Sequence, residues 1–108
     1  MPSLRAIKEA GNSYDDPSED LLFMLLEDID HGEGTWVIVE RLSDPTQQTY
    51  AQVLRVNSDS WVVEHRAGSA ETHFGTTVRD FRQAHALLTG WAFDLDGWQQ
   101  GATWSRVL

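Results

Sequence analysis

Residues 48–75, QTYAQVLRVNSDSWVVEHRAGSAETHFG, hold the pattern that decides the fold. Two runs, residues 50–56 and 61–63, are rich in β-branched, aromatic and large aliphatic side chains, which is typical of strands. The four residues between them, Asn-Ser-Asp-Ser, are types that bond their own backbone in turns. A second turn at residues 67–70 leads to a shorter strand at residues 71–74. The stretch therefore predicts three antiparallel strands joined by tight turns.

The pairing of the first two strands follows from the position of their turn. A turn with residues 58–59 at its tip sets Val56 opposite Trp61 and Leu54 opposite Val63. This register predicts one apolar face and a second face that is mixed and charged, as in an antiparallel sheet covered on one side. A slip by one residue would exchange all the partners, because side chains alternate between the two faces.

A first helix is predicted before the strands. It begins at an N-cap, Asp16, which is followed by Pro17 and, three residues after the cap, by Glu19. Its inward stripe has the spacing i, i+3, i+4, i+7 and consists of Leu22, Leu25, Leu26 and Ile29. Before it, residues 1–13 predict a loosely held helical turn or two. After it, residues 35–41 predict a strand that is apolar on both faces.

A second helix and a tail follow the strands. The helix spans residues 76–93, begins at the capping pair Thr77 and Asp80, and contains Gly90, which favours an early end. Its inward stripe consists of Phe81, Ala84, His85, Leu88 and Ala92. The remaining residues, 94–108, are rich in tryptophan and predict a tail folded back over the core.

The order of these elements predicts an α+β fold. Helix, three or four strands, helix and tail give an antiparallel meander of three to four strands covered by two helices. The chain, residues 1–108, has the length of a single domain. The sequence leaves open whether both helices lie on one face of the sheet, although the charged rear face of the central strands favours one face.

The charge of the chain bears on its partners. The net charge is -9, and the excess is local, because the residues up to Gly34 include nine acidic and only two basic side chains. Such a field repels nucleic acid, whose binding depends on neutralising phosphates, and attracts a basic partner. An excess of acidic residues can also do no more than keep a protein soluble. The chain has no cysteine, no apolar run as long as a membrane span and no apolar signal segment, so we expect a cytoplasmic protein without membrane contact.

No residue set predicts a metal site. His65 and His73 lie on neighbouring strands and stand opposite each other if the second turn is centred on Ser69. They lack a third ligand at a familiar spacing, so polar residues at the end of a sheet explain them better. The segment from Asp28 to Gly32 has some calcium-loop spacing, but its third oxygen ligand is replaced by glycine and the twelfth position is valine.

No residue set predicts catalysis or a cofactor either. The sequence has no Gly-x-Ser-x-Gly elbow and no glycine-rich phosphate loop. Two alternatives to a binding protein stay open. One is a small-molecule-binding or catalytic domain with a pocket near His65, His73 or His85. The other is a structural protein that oligomerises through the apolar helix at residues 21–29.

Five tryptophans are many for a chain of 108 residues, because each buries a large area. We predict core positions for Trp61 and Trp91. For Trp98 and Trp104 two roles stay open, completion of the core or anchoring of a partner, for which tryptophan is enriched.

A family resemblance adds a functional expectation. It rests on six segments: LLFMLLEDI (21–29), TWVIVER (35–41), TYAQVLRV (49–56), SWVVEHRAG (60–68), THF (72–74) and LLTGWAFDLDGWQQGATW (87–104). Together they resemble small actinobacterial proteins that are similar to the immunity proteins of polymorphic-toxin systems. The resemblance implies a cytoplasmic α+β protein that binds and blocks a cognate toxin domain. The matching positions are Glu64, Arg66, Gly68, Trp91, Trp98 and Trp104.

These observations predict a non-enzymatic protein-binding domain, an immunity-type inhibitor whose partner is a basic toxin domain. The residues predicted to bind the partner are Asp28, Asp30, Glu33, Trp98 and Trp104. The residues predicted to be structural are Trp61, Glu64, Arg66, Gly68, Phe81 and Trp91.

Overall fold

The computed structural model describes residues 2–107, so Met1 and Leu108, where two of the predicted ranges begin and end, lie outside the described residues. It has seven strands: β1 (Leu4–Lys8), β2 (Ser13–Asp15), β3 (Trp36–Arg41), β4 (Thr49–Asn57), β5 (Ser60–Ala67), β6 (His73–Val78) and β7 (Ser105–Arg106). Two helices, α1 (Glu19–Asp30) and α2 (Phe81–Ala92), and two short 3₁₀ turns, Ala70–Thr72 and Trp98–Gly101, complete it.

All seven strands form one antiparallel sheet, in the order β2-β1-β3-β4-β5-β6-β7. The predicted α+β class is confirmed, but the predicted meander of three to four strands is too small. Two of the additional strands come from the N-terminal segment, in which we predicted a helical turn. That prediction is wrong, because Leu4 and Ala6 alternate with exposed or half-exposed neighbours and point into the core from β1.

Helix α1 begins two residues later than predicted. Its N-cap is Ser18, whose Oγ accepts a hydrogen bond from the backbone N–H of Leu21 at 3.1 Å. Asp16 has a φ of 46° and caps nothing in the helix. Its carboxylate accepts hydrogen bonds from the backbone N–H groups of Ser3, at 2.7 Å, and Leu4, at 3.1 Å. Both residue types favour N-caps, so composition alone did not choose between them.

The predicted apolar stripe of α1 is confirmed, since Leu22, Leu25, Leu26 and Ile29 are all buried in the core. Met24 is 57% exposed and lies on the outer side of the helix. The apolar residues of this helix are therefore used mainly within the chain, which removes the observation that favoured oligomerisation through residues 21–29.

A β-bulge changes the predicted register of β4 and β5. The turn at residues 58–59 is as predicted, and Asn57 pairs with Ser60. The next pair is Arg55 with Trp61, because β4 accommodates one extra residue, Val56. The predicted pairs of Val56 with Trp61 and of Leu54 with Val63 are therefore wrong. The bulge exchanges the two faces of β4, whereas β5 keeps the faces that alternation predicted.

Both helices lie on one face of the sheet, the covered face. The buried strand residues share this face through the observed register, and they form one core with the buried residues of α1 and α2. Its strand members are Leu4, Ala6, Val37, Val39, Ala51, Val53, Trp61 and Val63. The question of helix placement, which the sequence left open, is thereby answered.

Helix α2 also starts later than predicted, because Thr76 to Val78 belong to β6. Asp80 is its N-cap, and its carboxylate accepts a hydrogen bond from the backbone N–H of Gln83 at 2.9 Å. Gly90 does not end the helix, which continues to Ala92. No helix among the described residues combines the length and the apolar character needed to cross a membrane.

Candidate functional site

The opposite face of the sheet, here called the open face, carries an apolar patch. Trp36 pairs with Leu54, and Leu54 pairs with Val62, so these three side chains form a row across β3, β4 and β5. In the next row, Ile7 of β1 pairs with Ile38 of β3. All five are half-buried by one another. Within residues 2–107, both helices pack on the covered face, so neither covers the patch.

Acidic groups border this patch at the Trp36 end of the sheet. Trp36 lines a cleft of about 300 Å³ together with two acidic residues, Glu9 and Glu33, and one basic residue, Lys8. The carboxylate of Glu9 is held there, since it accepts a hydrogen bond from the backbone N–H of Thr35 at 2.9 Å. The loop containing Glu33 follows α1 directly, and the backbone N–H of Glu33 donates to the carbonyl oxygen of Asp28 at 2.9 Å. We call Glu9, Asp28, Asp30 and Glu33 the acidic end.

Two members of the acidic end lie at the C-terminal end of α1, where the helix dipole disfavours negative charge. Asp28 and Asp30 are in the last turn of α1, which has no basic residue. The C-terminal end of a helix carries a partial negative charge and favours cations. The two carboxylates therefore add to a negative potential that the helix itself does not relieve. A cation or a basic surface placed here would be attracted by both.

The other end of the open face carries a polar network. The Nε of Arg66 donates a hydrogen bond to the Nδ1 of His73 at 3.1 Å, and the Nε2 of His73 lies 2.6 Å from the Oε1 of Glu64. A second guanidinium nitrogen of Arg66 donates to the side-chain oxygen of Gln48. The ring of Tyr50 lies edge-on to the ring of His73, at a centroid distance of 5.9 Å.

This network fixes the protonation state of His73. A guanidinium nitrogen only donates, so the Nδ1 of His73 accepts and its Nε2 carries the proton that is donated to Glu64. Both ring nitrogens are then occupied in a neutral imidazole. A general base needs a free lone pair within reach of a substrate. The arrangement therefore holds the open face together and has no free base.

Most of this network was not predicted from the sequence. Glu64 and Arg66 were predicted as structural positions, but Gln48, Tyr50 and His73 were not connected with them. The feature that would have connected these residues is their shared row, since Tyr50, Arg66 and His73 pair across β4, β5 and β6. That row exists only in the register with the bulge, which the sequence pattern did not predict.

The histidines do not form a metal site. His73 pairs with Arg66, and His65 pairs with Phe74, so the two histidines lie on opposite faces of the sheet and the predicted opposition is wrong. The Nε2 of His85 lies 3.0 Å from the carbonyl oxygen of Glu19, between the helices. His31 is exposed. Among residues 2–107, no three His, Asp or Glu side chains are arranged to hold a metal ion.

The histidines do not share a pocket either. The largest surface cavity, of about 680 Å³, lies at the β1–β3 end of the sheet. It is lined by Pro2, Ser3, Arg5, Asp15, Arg41, Leu42 and Ser43. His65, His73 and His85 therefore do not converge on it, and the pocket suggested for a small-molecule-binding domain is not built from them.

The tryptophans of the tail pack on the covered face. The ring of His65 lies 5.2 Å from Trp98 and 4.6 Å from Trp104 between centroids, in edge-to-face geometry, and Trp98 lies 5.7 Å from Trp104. The indole N–H of Trp104 donates to the carbonyl oxygen of Gln99 at 2.9 Å. These tryptophans contact β5, whereas the acidic end borders β1 and β3. The structure does not bring the two groups of predicted partner-binding residues together.

His65 is buried among these rings without a polar partner. The residue is 8% exposed, and its Nε2 has no hydrogen-bond partner among the described residues. Burial lowers the pKa of His65 below its ordinary value of 6.5.

The remaining positions predicted as structural all lie at packing or turn positions. Trp61 is fully buried, and its ring lies 6.3 Å from that of Phe81. The guanidinium of Arg41 lies 4.3 Å above the ring of Trp91 and donates to the carbonyl oxygen of Trp91 at 2.7 Å. Gly68 has a φ of 90°, a conformation that favours glycine, where the chain leaves β5.

The chain was compared with protein-family models, with curated proteins and with solved structures, and none of the three comparisons found a match.

Proposed function

We propose that this chain is a non-enzymatic protein-binding domain that docks a basic protein on the apolar patch of its open face. The observation that carries the proposal is the position of Trp36, half-exposed at the end of an apolar row and in one cleft with Glu9 and Glu33. An apolar centre bordered by charge is the usual anatomy of a protein interface.

The patch has the features of a binding anchor. Tryptophan is enriched among the residues that carry most of the binding energy, and such residues lie in the middle of a desolvated area. Leu54 and Val62 continue the row from Trp36 across the sheet and widen the apolar area. The polar network of Glu64, Arg66 and His73 borders the same face with groups that are already paired. Docking on the patch therefore needs no new partners for them.

The charge of the chain selects a basic partner. The net charge is -9, and the acidic end stands beside the patch without a basic residue in the last turn of α1. Complementary potentials raise the association rate and exclude partners of like charge. Together with the resemblance to immunity proteins, this favours a cytoplasmic inhibitor that covers the basic surface of a toxin domain. Trp98 and Trp104 hold the fold in this proposal.

The test is a titration calorimetry experiment with the toxin domain encoded beside this chain. We expect a one-to-one complex at low ionic strength that weakens near 1 M salt, where the Debye length is about 3 Å. The double variant Glu9→Lys, Glu33→Lys reverses the charge beside Trp36 and should weaken binding. The double variant Glu19→Lys, Asp20→Lys, in the first turn of α1, is the matched control. Equal affinity of the two double variants would contradict the proposed surface.

A further inference from the structure

The C-terminal tail, residues 94–107, is attached to the fold by few groups. Its backbone bonds to the rest of the chain are those of Leu95 to Gly90, of Val107 to His73 and of the two-residue strand β7 to β6. Ser105 and Arg106 of β7 are exposed. The tail side chains that pack against the core are Trp98, Ala102 and Trp104. Trp98 also lies against Gly90 of α2, and both tryptophans contact one titratable residue, His65.

The surroundings of His65 contain no acidic side chain that would pair with a positive charge. From β4 the facing residue is Ala51, from β6 it is Phe74, and from the tail the two tryptophans. His73 lies one position before Phe74 on the other face, where it is held as a neutral ring by Arg66 and Glu64. The buried residues of α2 are uncharged: Ala84, Leu87, Leu88, Thr89, Gly90, Trp91 and Ala92. Among the described residues, Asp15 is paired with Arg5 and Glu64 accepts from neutral His73, and no carboxylate contacts His65.

A neutral imidazole fits this site, but an imidazolium does not. Protonation adds a second N–H donor and a charge, and a buried charge without a hydrogen-bond partner is far more costly than a buried neutral ring. The tryptophan faces attract a cation. They supply no acceptor for the Nε2 of His65, which has no partner in the described structure. The charge is relieved when the aromatic rings move away and water reaches the ring.

We propose that the tail is an acid-sensitive latch: it is closed over neutral His65 and is released from β5 and β6 when His65 is protonated. The tail is the part that moves, because the strands and helices around it are held by the common core. Release uncovers the edge of β6 and the apolar faces of Trp98 and Trp104. The latch does not depend on the proposed partner or on the open face.

The sign of the pH dependence follows from the two states of His65. Its pKa is lowered in the closed state by burial and is ordinary, about 6.5, when the tail is released. The closed state is therefore fully favoured above pH 6.5 and loses stability as the pH falls from 6.5 to the pKa of the closed state. Over that interval the equilibrium constant for opening rises about tenfold for each pH unit.

Hydrogen exchange measured by NMR tests the latch. The reporters are the backbone N–H groups of Leu95 and Val107 and the indole N–H of Trp104, with protection factors corrected for the intrinsic effect of pH on exchange. Between about pH 7.5 and about pH 5 we expect these factors to fall, by a factor set by the difference between the two pKa values of His65, while the N–H groups of β3 and β4 stay protected. The variant His65→Phe should abolish the fall, and His31→Gln, at an exposed histidine, should preserve it.

If His65→Phe does not fold, the latch is tested in the unmodified chain by titrating the imidazole of His65 directly. The loss of protection must level off at the pH at which His65 titrates in the closed state, and not at the titration of His31, His73 or His85. The latch is overturned if the tail stays protected while His65 becomes charged. It is also overturned if His65→Phe loses protection in acid as the unmodified chain does.

Discussion

Arg55 of β4 pairs with Trp61 of β5. The two-residue turn that joins these strands would, without an irregularity, pair Trp61 with Val56 instead. The extra residue, Val56, forms a bulge that rotates the rest of β4. Val53 is thereby turned into the core, and Leu54 is turned onto the open face beside Trp36 and Val62. The apolar patch that we propose as the docking surface is a consequence of this single bulge.

The first prediction concerns Gly90, where two physical effects have opposite signs. Helix propensity alone favours Gly90→Ala by about 1 kcal/mol. A Cβ at this position would, however, lie 2.2 Å from the Cβ of Trp98, so the tail must move. We expect Gly90→Ala to lower the free energy of unfolding by about 1–3 kcal/mol. Urea denaturation measures it, and Trp98→Gly in the same chain, which removes the Cβ of residue 98, should remove most of the loss. A stabilised Gly90→Ala variant would contradict the observed packing of the tail.

The second prediction concerns the polar network of the open face. Glu64→Ala leaves the Nε2–H of His73, which is 7% exposed, without its acceptor. An unpaired buried donor costs about 1–3 kcal/mol, and we expect a loss of that size in the free energy of unfolding. Glu64→Gln retains an acceptor oxygen and should lose less. If the two variants are equally stable, the network contributes packing and no hydrogen bond.

The third prediction concerns the carboxylate that holds the N-terminal segment. Hydrogen bonds from the backbone of Leu4 and Ser3 lower the pKa of Asp16 below 3.8. The stabilisation is therefore present above pH 3.8 and is lost as the pH falls through the lower pKa of the folded state. Asp16→Asn keeps a side chain that tolerates the positive φ but removes the charge.

Acid-induced unfolding, monitored by circular dichroism, checks this prediction. The curve of Asp16→Asn should lose part of its dependence on pH below 4, whereas Asp20→Asn, at an exposed position, should follow the unmodified chain. Parallel curves for all three proteins would show that Asp16 does not hold the segment.

The sequence predicted those parts of the fold that depend on local patterns. The stripe of Leu22, Leu25, Leu26 and Ile29, the turn at residues 58–59 and the faces of β5 all follow from spacing. The strand β1 was missed because Leu4, Ala6 and Ile7 fit a helical turn as well as a strand, and its identity as a strand depends on pairing with β3. The bulge was missed because no residue type marks it, and packing of Val53 against the core decides it.

The candidate site was predicted less well for the same reason. Asp28, Asp30 and Glu33 were recognised by charge, which needs no tertiary structure. Trp36 was expected only as part of a strand that is apolar on both faces. Its position on the open face depends on the register of β3 with β4. Trp98 and Trp104 could not be assigned to core or surface without the contacts of the tail with His65.

The most direct measurement is the affinity of Trp36→Ala for the basic toxin domain, compared with that of Met24→Ala. Both substitutions remove a large exposed or half-exposed apolar side chain, but Met24 lies on α1, away from the open face. The proposal predicts that Trp36→Ala, shown to be folded by circular dichroism, weakens binding by about 30-fold or more, as expected for a residue worth about 2 kcal/mol. Met24→Ala should bind as the unmodified chain does. An unchanged dissociation constant for folded Trp36→Ala would contradict docking on the open face.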